Sequence, residues 1–533
     1  MKDFFKNEKW PLLIAIIQWS LCIMFRLDRL FFSYDKVNGI QIMIKALYFV
    51  FLIMLWLFLF HVVRQIRKGN DDYRRGAIYF GIYFPATMAI MVFIWPGTWF
   101  WDDVITLQTI STYQLDAWHH VLTGVYQAIL LQLLPFPAGM IILQNFIISI
   151  CVARVLINLE KCFWICKSKN PIVWILKFLP FLLPPVLAYQ YSGFRLGIYS
   201  YLELLFITEF VTVVRRKKIW SLKYGLFISI ICILTAAWRT ESVFYVPITC
   251  LVILLLDKAL ISTKKKIGFV LLILFGFSSL FLWQKQALKN DDYVLVSFAN
   301  PCTELVRMSD PIADHEELKK IGVIFDLEII HQNPSKTGEK MFWIEGFVKS
   351  GYSKQEYRDF LKAIAMLSLK YPKVFWVERW NTFLRSVEIS EKTNTNLYDA
   401  FDEFLQNEMI KQAKTKNWIS FTPIFEKERK ALINIWRGKN FKGVILPRYM
   451  RIVWNAVIPI LLLCYAWMKT LQKKKFLLFL VLSALMIKLP VIFLMEPEGY
   501  FLYFLSFYLI GYVYGCFKLI SIITCNMNRN VVK

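Results

Sequence analysis

Charged side chains are scarce in this sequence of 533 residues, because only 19% of them are Asp, Glu, Lys or Arg. A soluble protein carries about 25%. Cysteine is sparse where polar residues gather: Cys302 is the only one between residues 284 and 448, which excludes a disulfide framework in that stretch. No internal repeat or low-complexity run is visible. No small-residue cleavage site follows the first apolar run, which is therefore expected to remain as an uncleaved helix.

Apolar side chains are correspondingly abundant, at 57% of the chain, and 17% of all residues are aromatic. They are concentrated in long blocks such as residues 41–63 and 268–283. These blocks come close to the roughly 20 residues that cross the hydrocarbon core of a bilayer. Blocks of this length and number exclude a soluble globular protein and predict an all-α, polytopic membrane protein.

The formal net charge of +25 is not arranged as in a protein that binds nucleic acid. Residues 284–448 are nearly balanced, with 26 basic and 22 acidic side chains. The other segments therefore hold 37 of the 63 basic residues but only 16 of the 38 acidic ones. Most of this excess flanks apolar runs, where basic residues keep loops cytoplasmic and meet anionic lipids. Membrane lipids are the expected partners, and nucleic acid is not.

The basic clusters also predict the topology, because all of them should be cytoplasmic. Thirteen apolar runs are present, and if each crossed the membrane, every cluster from 161–169 to 469–475 would lie outside. Removing the short run 119–134, which ends at prolines and contains polar residues, places all of them inside. We expect that run to lie along the outer interface. The other twelve are predicted to cross a cell membrane with both termini cytoplasmic: 10–25, 41–63, 77–96, 138–157, 171–189, 194–214, 220–238, 242–257, 267–283, 451–468, 475–494 and 500–520.

Three parts are expected from this topology. Residues 1–283 form a transmembrane module with an outer loop at 97–137, and residues 449–533 form C-terminal transmembrane helices. Between them, residues 284–448 are predicted to be a mixed, mainly helical extracytoplasmic domain. Its aromatic residues indicate a module that is packed or rests on the membrane: Phe342, Trp343, Phe375, Trp376 and Trp380.

The outer loop carries the strongest cluster of chemically active side chains. Asp102 and Asp103 are adjacent, and His119 and His120 follow about sixteen residues later, with no lysine or arginine between them. A solvated loop anchored by its aromatic residues explains the pattern without any chemistry. A carboxylate that acts as a general base just outside the membrane is the functional alternative. The histidines with Asp102 could also bind a divalent metal, although a His–His pair alone is a weak metal signal.

This loop resembles that of membrane glycosyltransferases of the C superfold, which include protein O-mannosyltransferases and the lipid A aminoarabinose transferase. In bacterial relatives a Trp-Asp-Ser sequence is followed some fifteen residues later by Trp-His-Pro-Pro at the start of an interfacial helix. The matching positions here are Trp101-Asp102-Asp103 and Trp118-His119-His120. Asp103 replaces the serine, and His120-Val121 replaces the prolines.

Other outer turns extend the resemblance. Arg239 and Glu241 match a helix-initial Arg-x-Glu of the family, although an ion pair that caps a helix explains them equally well. Arg195 stands where relatives carry a basic residue before an acid, with Leu196 in place of that acid. The last outer turn resembles a Glu-x-Arg-Tyr ending, with Glu498 and Tyr500 kept and Gly499 replacing the arginine.

Basic residues on the outer side suggest a specific anion, because positive charge is disfavoured there. Arg448 and Arg451 follow the predicted outer domain, and guanidinium groups bind lipid phosphate strongly. Lys488, inside an apolar helix, either supplies a further cation or extends its amine to the interface. The expected substrate-binding residues are Trp118, His119, His120, Arg195, Arg239, Glu241, Arg448, Arg451, Lys488, Glu498 and Tyr500.

The resemblance implies an inverting transfer of a sugar from a polyprenyl-phosphate donor to a glycan, glycopolymer or lipid-linked acceptor on the outer face. Asp102 and Asp103 are the candidate catalytic residues, no cofactor is predicted with certainty, and a divalent metal is a possible one. Two other classes stay open. A flippase or transporter predicts internal repeats, and a polysaccharide polymerase or ligase predicts outer loops rich in arginine and histidine.

Overall fold

The computed structural model describes residues 9–115, 118–165, 170–288, 292–389, 422–440, 442–444, 446–497 and 499–531. Within these ranges the chain is helical and forms no β-strand, only isolated bridges at Thr98–Ser192 and Phe325–Val348. The predicted all-α class is therefore confirmed for the described residues. Internal contacts divide the protein into two compact units.

The first unit comprises the described residues within Met1–Ala287, Thr395–Leu485 and Leu505–Lys533. Its N-terminal helices build most of the apolar bundle, and three 3₁₀ turns, Leu27–Leu30, Leu179–Leu182 and Thr240–Ser242, interrupt them. These helices are α1 (Lys9–Met24), α2 (Gly39–Arg67), α3 (Asp71–Ile94), α4 (Trp101–Ser111), α5 (Val121–Leu133), α6 (Pro137–Phe163), α7 (Pro171–Phe178), α8 (Pro184–Gln190), α9 (Arg195–Arg216), α10 (Leu222–Trp238), α11 (Tyr245–Leu255) and α12 (Thr263–Ala287).

The second unit comprises the described residues within Leu288–Asn394 and Met486–Phe504. Its core is formed by apolar side chains such as Leu305, Phe325 and Phe360, which are fully buried. Its helices are α13 (Val296–Met308), α14 (His315–Gly322), α15 (Leu327–Gln332), α16 (Gly338–Phe342), α17 (Lys354–Lys370), α18 (Pro372–Ser386) and α23 (Lys488–Met495), with 3₁₀ turns at Tyr293–Leu295 and Phe501–Phe504.

The later part of the chain adds further helices to the first unit. They are α19 (Glu426–Trp436), α20 (Pro447–Val453), α21 (Val457–Gln472), α22 (Phe476–Met486) and α24 (Leu505–Val531). The last residue of α22 falls within the second unit, and α23 follows it directly.

Eight helical segments are long and apolar enough to cross a membrane, which supports a membrane-embedded protein. A ninth candidate is the bent pair Pro171–Leu182 and Pro184–Gln190, whose halves meet at 54°. The eight are Gly39–Arg67, Asp71–Ile94, Pro137–Phe163, Arg195–Arg216, Thr263–Ala287, Pro447–Gln472, Phe476–Met495 and Phe501–Cys525.

Asparagine starts three of these apolar segments. The Oδ1 atom of Asn38 accepts a hydrogen bond from the Gln41 backbone N–H at 2.7 Å. Asn70 caps α3 in a similar way by accepting the Asp72 N–H at 3.1 Å, and Asn170 caps α7 by accepting the Ile172 N–H at 2.8 Å. Each cap satisfies a backbone donor that the helix leaves without an intrahelical acceptor, and so fixes where the helix begins.

Burial separates central from peripheral helices in the first unit. In Arg195–Arg216, 83% of the most apolar 18-residue window is buried inside the protein, and in Pro137–Phe163 it is 67%. In Gly39–Arg67 and Thr263–Ala287 only 11% is buried. The helices α6 and α9 therefore form the centre of the bundle, whereas α2 and α12 expose their apolar surface at its edge.

Candidate functional site in the loops of the first unit

Three connections of the first unit meet beside α5. The segment after α3 is tied to the turn after α8, because the Thr98 N–H donates to the Tyr191 carbonyl at 2.8 Å and the Thr98 hydroxyl to the Ala188 carbonyl at 2.9 Å. The turn before α11 joins them through Trp238, whose indole N–H donates to the Thr123 hydroxyl at 2.9 Å. Hydrogen bonds between residues that are far apart in the sequence thus bring the candidate residues of these loops together.

Asp103 is buried and serves as a structural acceptor. Its Oδ2 atom accepts the backbone N–H of Phe100 at 3.0 Å and the hydroxyl of Ser192 at 2.9 Å. Burial raises the pKa of Asp103 well above its usual range, and the negative charge of Asp102 raises it further. Through these two hydrogen bonds Asp103 holds the start of α4 against the turn after α8.

Asp102 has a different environment, although it is the next residue. Its side chain is 37% exposed, and its Oδ2 atom lies 3.2 Å from Nε2 of His119. His119 is only 7% exposed at its side chain, so a largely buried imidazole meets a carboxylate that water can reach. An ionised carboxylate with one partner side chain and access to solvent can take up a proton, which is the requirement for a general base.

His119 is fixed from several sides. Its carbonyl oxygen accepts hydrogen bonds from the Arg195 guanidinium at 2.6 Å and from the Thr123 hydroxyl at 2.5 Å. Its ring stacks on Trp118, with centroids 5.2 Å apart and planes 18° apart. These three contacts hold the His119 side chain in one geometry. The predicted residues Trp118, His119 and Arg195 therefore form one assembly with Asp102.

His120 caps α5 and has no charge at neutral pH. It adopts a positive φ of 71°, and its Nδ1 atom accepts the Leu122 N–H at 3.2 Å. Burial and, to a smaller degree, the charge of Arg195 together lower the pKa of His120 to about 3. Among the described residues no group of three or more His, Cys, Asp or Glu side chains could hold a metal ion. A divalent metal here stays a prediction, and no step below depends on one.

Arg239 and Glu241 form the ion pair that their spacing suggested. The Nε atom of Arg239 lies 2.5 Å from Oε1 of Glu241, and both side chains are largely buried. They directly follow Trp238, which is anchored to α5. The pair thus borders the loop assembly, and each charge is compensated locally.

The remaining candidates are not joined to this assembly by any described contact. Arg448 and Arg451 lie on α20, are exposed, and form no ion pair with a carboxylate in the described part of the chain. Lys488 and Tyr500 belong to the second unit, where Lys488 is buried at the start of α23 and Tyr500 is partly buried. Glu498 lies outside the described residues.

An apolar cavity adjoins the loop assembly. It has a volume of about 350 Å³, and its wall includes Val121, which directly follows His120. The Val121 N–H donates to the Gln284 side chain of α12 at 2.9 Å, which ties α5 to the peripheral helix. The other lining residues come from α2, α12 and the end of the loop: Gly39, Ile40, Met43, Leu115, Trp283 and Ala287.

Sequence reasoning missed several residues that build the site. Ser192 anchors Asp103, and Thr123 anchors both His119 and Trp238. Gln127 is fully buried and donates to the Gly193 carbonyl at 2.9 Å. The available signal was polar side chains in an otherwise apolar run, which suggested a helix at the interface. In the structure Thr123 and Gln127 are buried within the protein, and the position of their helix at the interface stays a prediction.

No protein-family model matches the chain, and searches of curated proteins and of solved structures found no similar protein. The chemistry of the loop assembly is therefore the basis for a functional proposal.

Proposed function

We propose that this protein is an inverting membrane glycosyltransferase. It moves a sugar from a polyprenyl-phosphate donor to a hydroxyl of a cell-surface glycan, glycopolymer or lipid-linked acceptor on the outer face of the membrane. The observation that carries the proposal is the contact between the accessible Asp102 carboxylate and the buried His119 imidazole. It lies in a loop without lysine or arginine and next to an apolar cavity.

The topology of the proposal has twelve crossings. The eight long apolar segments, the bent pair and three shorter apolar helices, Lys9–Met24, Leu222–Trp238 and Thr240–Leu255, add up to the twelve predicted runs. The remaining short apolar helix, Val121–Leu133, has 13 residues and extends about 20 Å, well below the ~30 Å of a bilayer core. Leaving it out keeps the loop 97–137 on the outer face and every basic cluster in the cytoplasm.

In the proposed reaction Asp102 accepts the proton of the acceptor hydroxyl as its oxygen attacks the anomeric carbon. The new bond joins that oxygen to the sugar, and the bond between the sugar and the donor phosphate breaks with both electrons staying on the phosphate. His119 positions the carboxylate through the 3.2 Å contact. Attack from the face opposite the leaving group inverts the anomeric centre.

The leaving group is a phosphate on a lipid and needs cations rather than a proton. Arg448 and Arg451 are suited to this role because both are exposed and no described carboxylate neutralises them. The apolar cavity beside Val121 is suited to part of the polyprenyl chain, since its lining is dominated by apolar side chains. A donor held in this way keeps its tail in the membrane while its sugar reaches the loop.

The deciding experiment measures sugar transfer by purified protein in lipid vesicles with a polyprenyl-phosphate-linked sugar as donor. Asp102→Asn keeps the shape of the side chain and removes the base, so transfer should fall by about 10²–10⁴-fold. Binding of the donor lipid should stay near that of wild type, because the base acts on the acceptor.

Asp103→Asn is the matched control on the neighbouring residue. Its amide oxygen can still accept the Phe100 N–H and the Ser192 hydroxyl, so a milder loss is expected. Transfer at the wild-type rate by Asp102→Asn would remove Asp102 from the mechanism. Movement of the intact lipid-linked sugar across the bilayer, without release of the sugar, would instead establish a flippase. In cells, loss of the protein should cause its lipid-linked donor to accumulate.

A further inference from the structure

The helix α18 of the second unit turns its polar side chains inward. Arg379 is fully buried. Its Nη2 atom donates a hydrogen bond to Glu378 Oε1 at 2.8 Å, and its Nη1 atom donates one to the Glu496 carbonyl at 2.9 Å. Thr382 donates its hydroxyl to Glu378 at 2.8 Å, and the buried Ser386 donates to Glu496 Oε2 at 2.8 Å. These residues, at positions 378, 379, 382 and 386, share one face with helical spacing.

The opposite face of α18 is exposed and mainly apolar, with Lys373 and Asn381 as its polar members. Trp376 and Trp380 are each 53% exposed, and Val377 is 58% exposed. Met366 and Leu369 on the adjoining α17 extend the exposed apolar surface, at 56% and 78%. In a helix on the surface of a soluble protein the polar face points to water and the apolar face to the core. The arrangement in α18 is the reverse, and a reversed arrangement indicates an apolar environment outside the helix.

The exposed face is continuous with the end of a membrane-crossing candidate. Phe493 lies in the last turn of the segment Phe476–Met495. Its ring centroid is 6.1 Å from that of Trp376 and 6.3 Å from that of Trp380. The two tryptophans therefore stand beside the point at which an apolar helix of this unit ends, which is the level where tryptophan is enriched in membrane proteins.

Positive charge borders the same surface. Lys373 begins α18, is exposed, and forms no ion pair with a described residue. Lys370 at the end of α17 is also exposed, although it pairs with Asp314. A lysine above a tryptophan-rich apolar face is suited to the phosphate level of a bilayer, since the amine reaches the headgroups while the rings enter the acyl boundary.

We propose that α18 lies in the membrane–water interface at the end of the segment Phe476–Met495, with Trp376, Val377 and Trp380 embedded in lipid. The partner is the bilayer itself, not a soluble protein or a second copy of the chain. The inward polar face then holds the 494–497 turn through Arg379 and Ser386, so the bilayer and the second unit are joined by one helix. This placement does not depend on the proposed sugar transfer.

The test uses the full-length protein in vesicles of phosphatidylethanolamine and phosphatidylglycerol. A benzoylphenylalanine photocrosslinker replaces Trp376 or Trp380 in separate variants, and a control variant carries it at Gln355. Gln355 is exposed near the start of α17, about 21 Å along that helix from Leu369. After illumination, mass spectrometry should find lipid adducts at positions 376 and 380 at least about tenfold above those at 355.

Lipid adducts at 376 and 380 no more frequent than at 355 would overturn the proposal. A crosslinked dimer would identify an interface between copies, and a crosslink within one chain would show that the chain covers the face; each of these outcomes also contradicts it. Thermal unfolding of each variant, followed with a thiol-reactive dye, confirms that the labelled protein is folded. A Val377 variant supplies a second site on the same face if one tryptophan position does not tolerate the label.

Discussion

Carboxylates at the two ends of helix α3 have contrasting surroundings. Where α3 begins, Glu160 is buried and forms ion pairs with Arg75 at 2.8 Å and Lys177 at 2.6 Å. Beyond the other end of α3, which is about 36 Å long, Asp102 is 37% exposed, and its one side-chain partner among the described residues is His119. Glu160 is thus surrounded by partners and closed to water, whereas Asp102 is open to solvent.

The contrast separates a structural charge from a chemical one. A second buried carboxylate on the same side as Glu160, Glu209, repeats its pattern, with Arg154 at 2.5 Å and Tyr224 at 2.7 Å. Carboxylates with this many partners cross-link helices, and removing one partner is costly. Among the described residues Asp102 joins fewer elements than Glu160 or Glu209, which agrees with the general-base role proposed for it.

The largest expected effect is on stability at the Glu160 end. Glu160→Gln leaves Lys177, which is 2% exposed, without its counter-charge and takes from Arg75 its buried partner, and should lower the free energy of unfolding by about 3–5 kcal/mol. Asp71→Asn is the control, since Asp71 is 55% exposed at its side chain and pairs with the same Arg75; its cost should not exceed about 1 kcal/mol. A thiol-reactive dye that reports exposure of buried cysteines such as Cys232 measures both. An equal loss of stability in Glu160→Gln and Asp71→Asn would show that buried ion pairing does not set Glu160 apart from an exposed carboxylate.

A smaller loss is expected at the loop end, from Ser192→Ala. The hydroxyl of Ser192 donates to Asp103 and accepts the Phe194 N–H at 2.7 Å, so its removal takes one of two hydrogen bonds from Asp103 and the side-chain acceptor from the buried Phe194 N–H. The cost should be about 1–3 kcal/mol in the same dye assay. Ser149→Ala is the matched control, because Ser149 is equally buried but donates only to the Asn145 carbonyl of its own helix. Its cost should be smaller, and a loss as large as that of Ser192→Ala would show that Ser192 does not anchor the loop.

The third effect is graded rather than all at once, because it is a pH dependence that arises from His120 at the loop end. The pKa of His120 falls from 6.5 to about 3 on folding, so the unfolded chain binds more protons between these values. The stability due to neutral His120 is complete above about pH 6.5 and is lost as the pH falls toward 3, at up to ~1.4 kcal/mol per pH unit. His120→Asn keeps an N-cap acceptor and tolerates the positive φ, but it does not titrate. Unfolding midpoints between pH 7 and 4 should therefore decline less steeply in the variant. Parallel profiles would show that His120 is not buried in its neutral form.

Hydropathy alone located the helices well, because a bilayer demands long apolar segments. The run predicted at 138–157 is the centre of Pro137–Phe163, and the run at 194–214 nearly coincides with Arg195–Arg216. Hydropathy did not distinguish the buried α9 from the exposed α2, because apolar side chains suit both a protein interior and lipid. The number of crossings and their orientation stay predictions.

The sequence predicts which residues belong to the candidate site, but not how their side chains are arranged in space. Asp102 and His119 were selected from one loop, and their contact spans a short stretch of chain. The different environments of Asp102 and Asp103 could not be predicted, because Ser192 lies 89 residues from Asp103. That hydrogen bond exists only after α6 and α9 have packed, and no local pattern encodes it.

The aromatic residues of the second unit show the same limit. The sequence indicated a packed or membrane-resting module and could not choose between them. In the structure Phe375 is partly buried against the core, whereas the next residue, Trp376, is exposed. Only the inward turn of Arg379 reveals which face of the helix is reversed.

The low burial of α2 and α12 has a consequence for how a long molecule could enter the cavity between them. Only 11% of the apolar window of each helix is buried, so both helices leave apolar surface uncovered next to the cavity that they border with Val121. The proposed donor would then reach the cavity laterally, with its hydrocarbon chain entering from the bilayer beside α2 and α12.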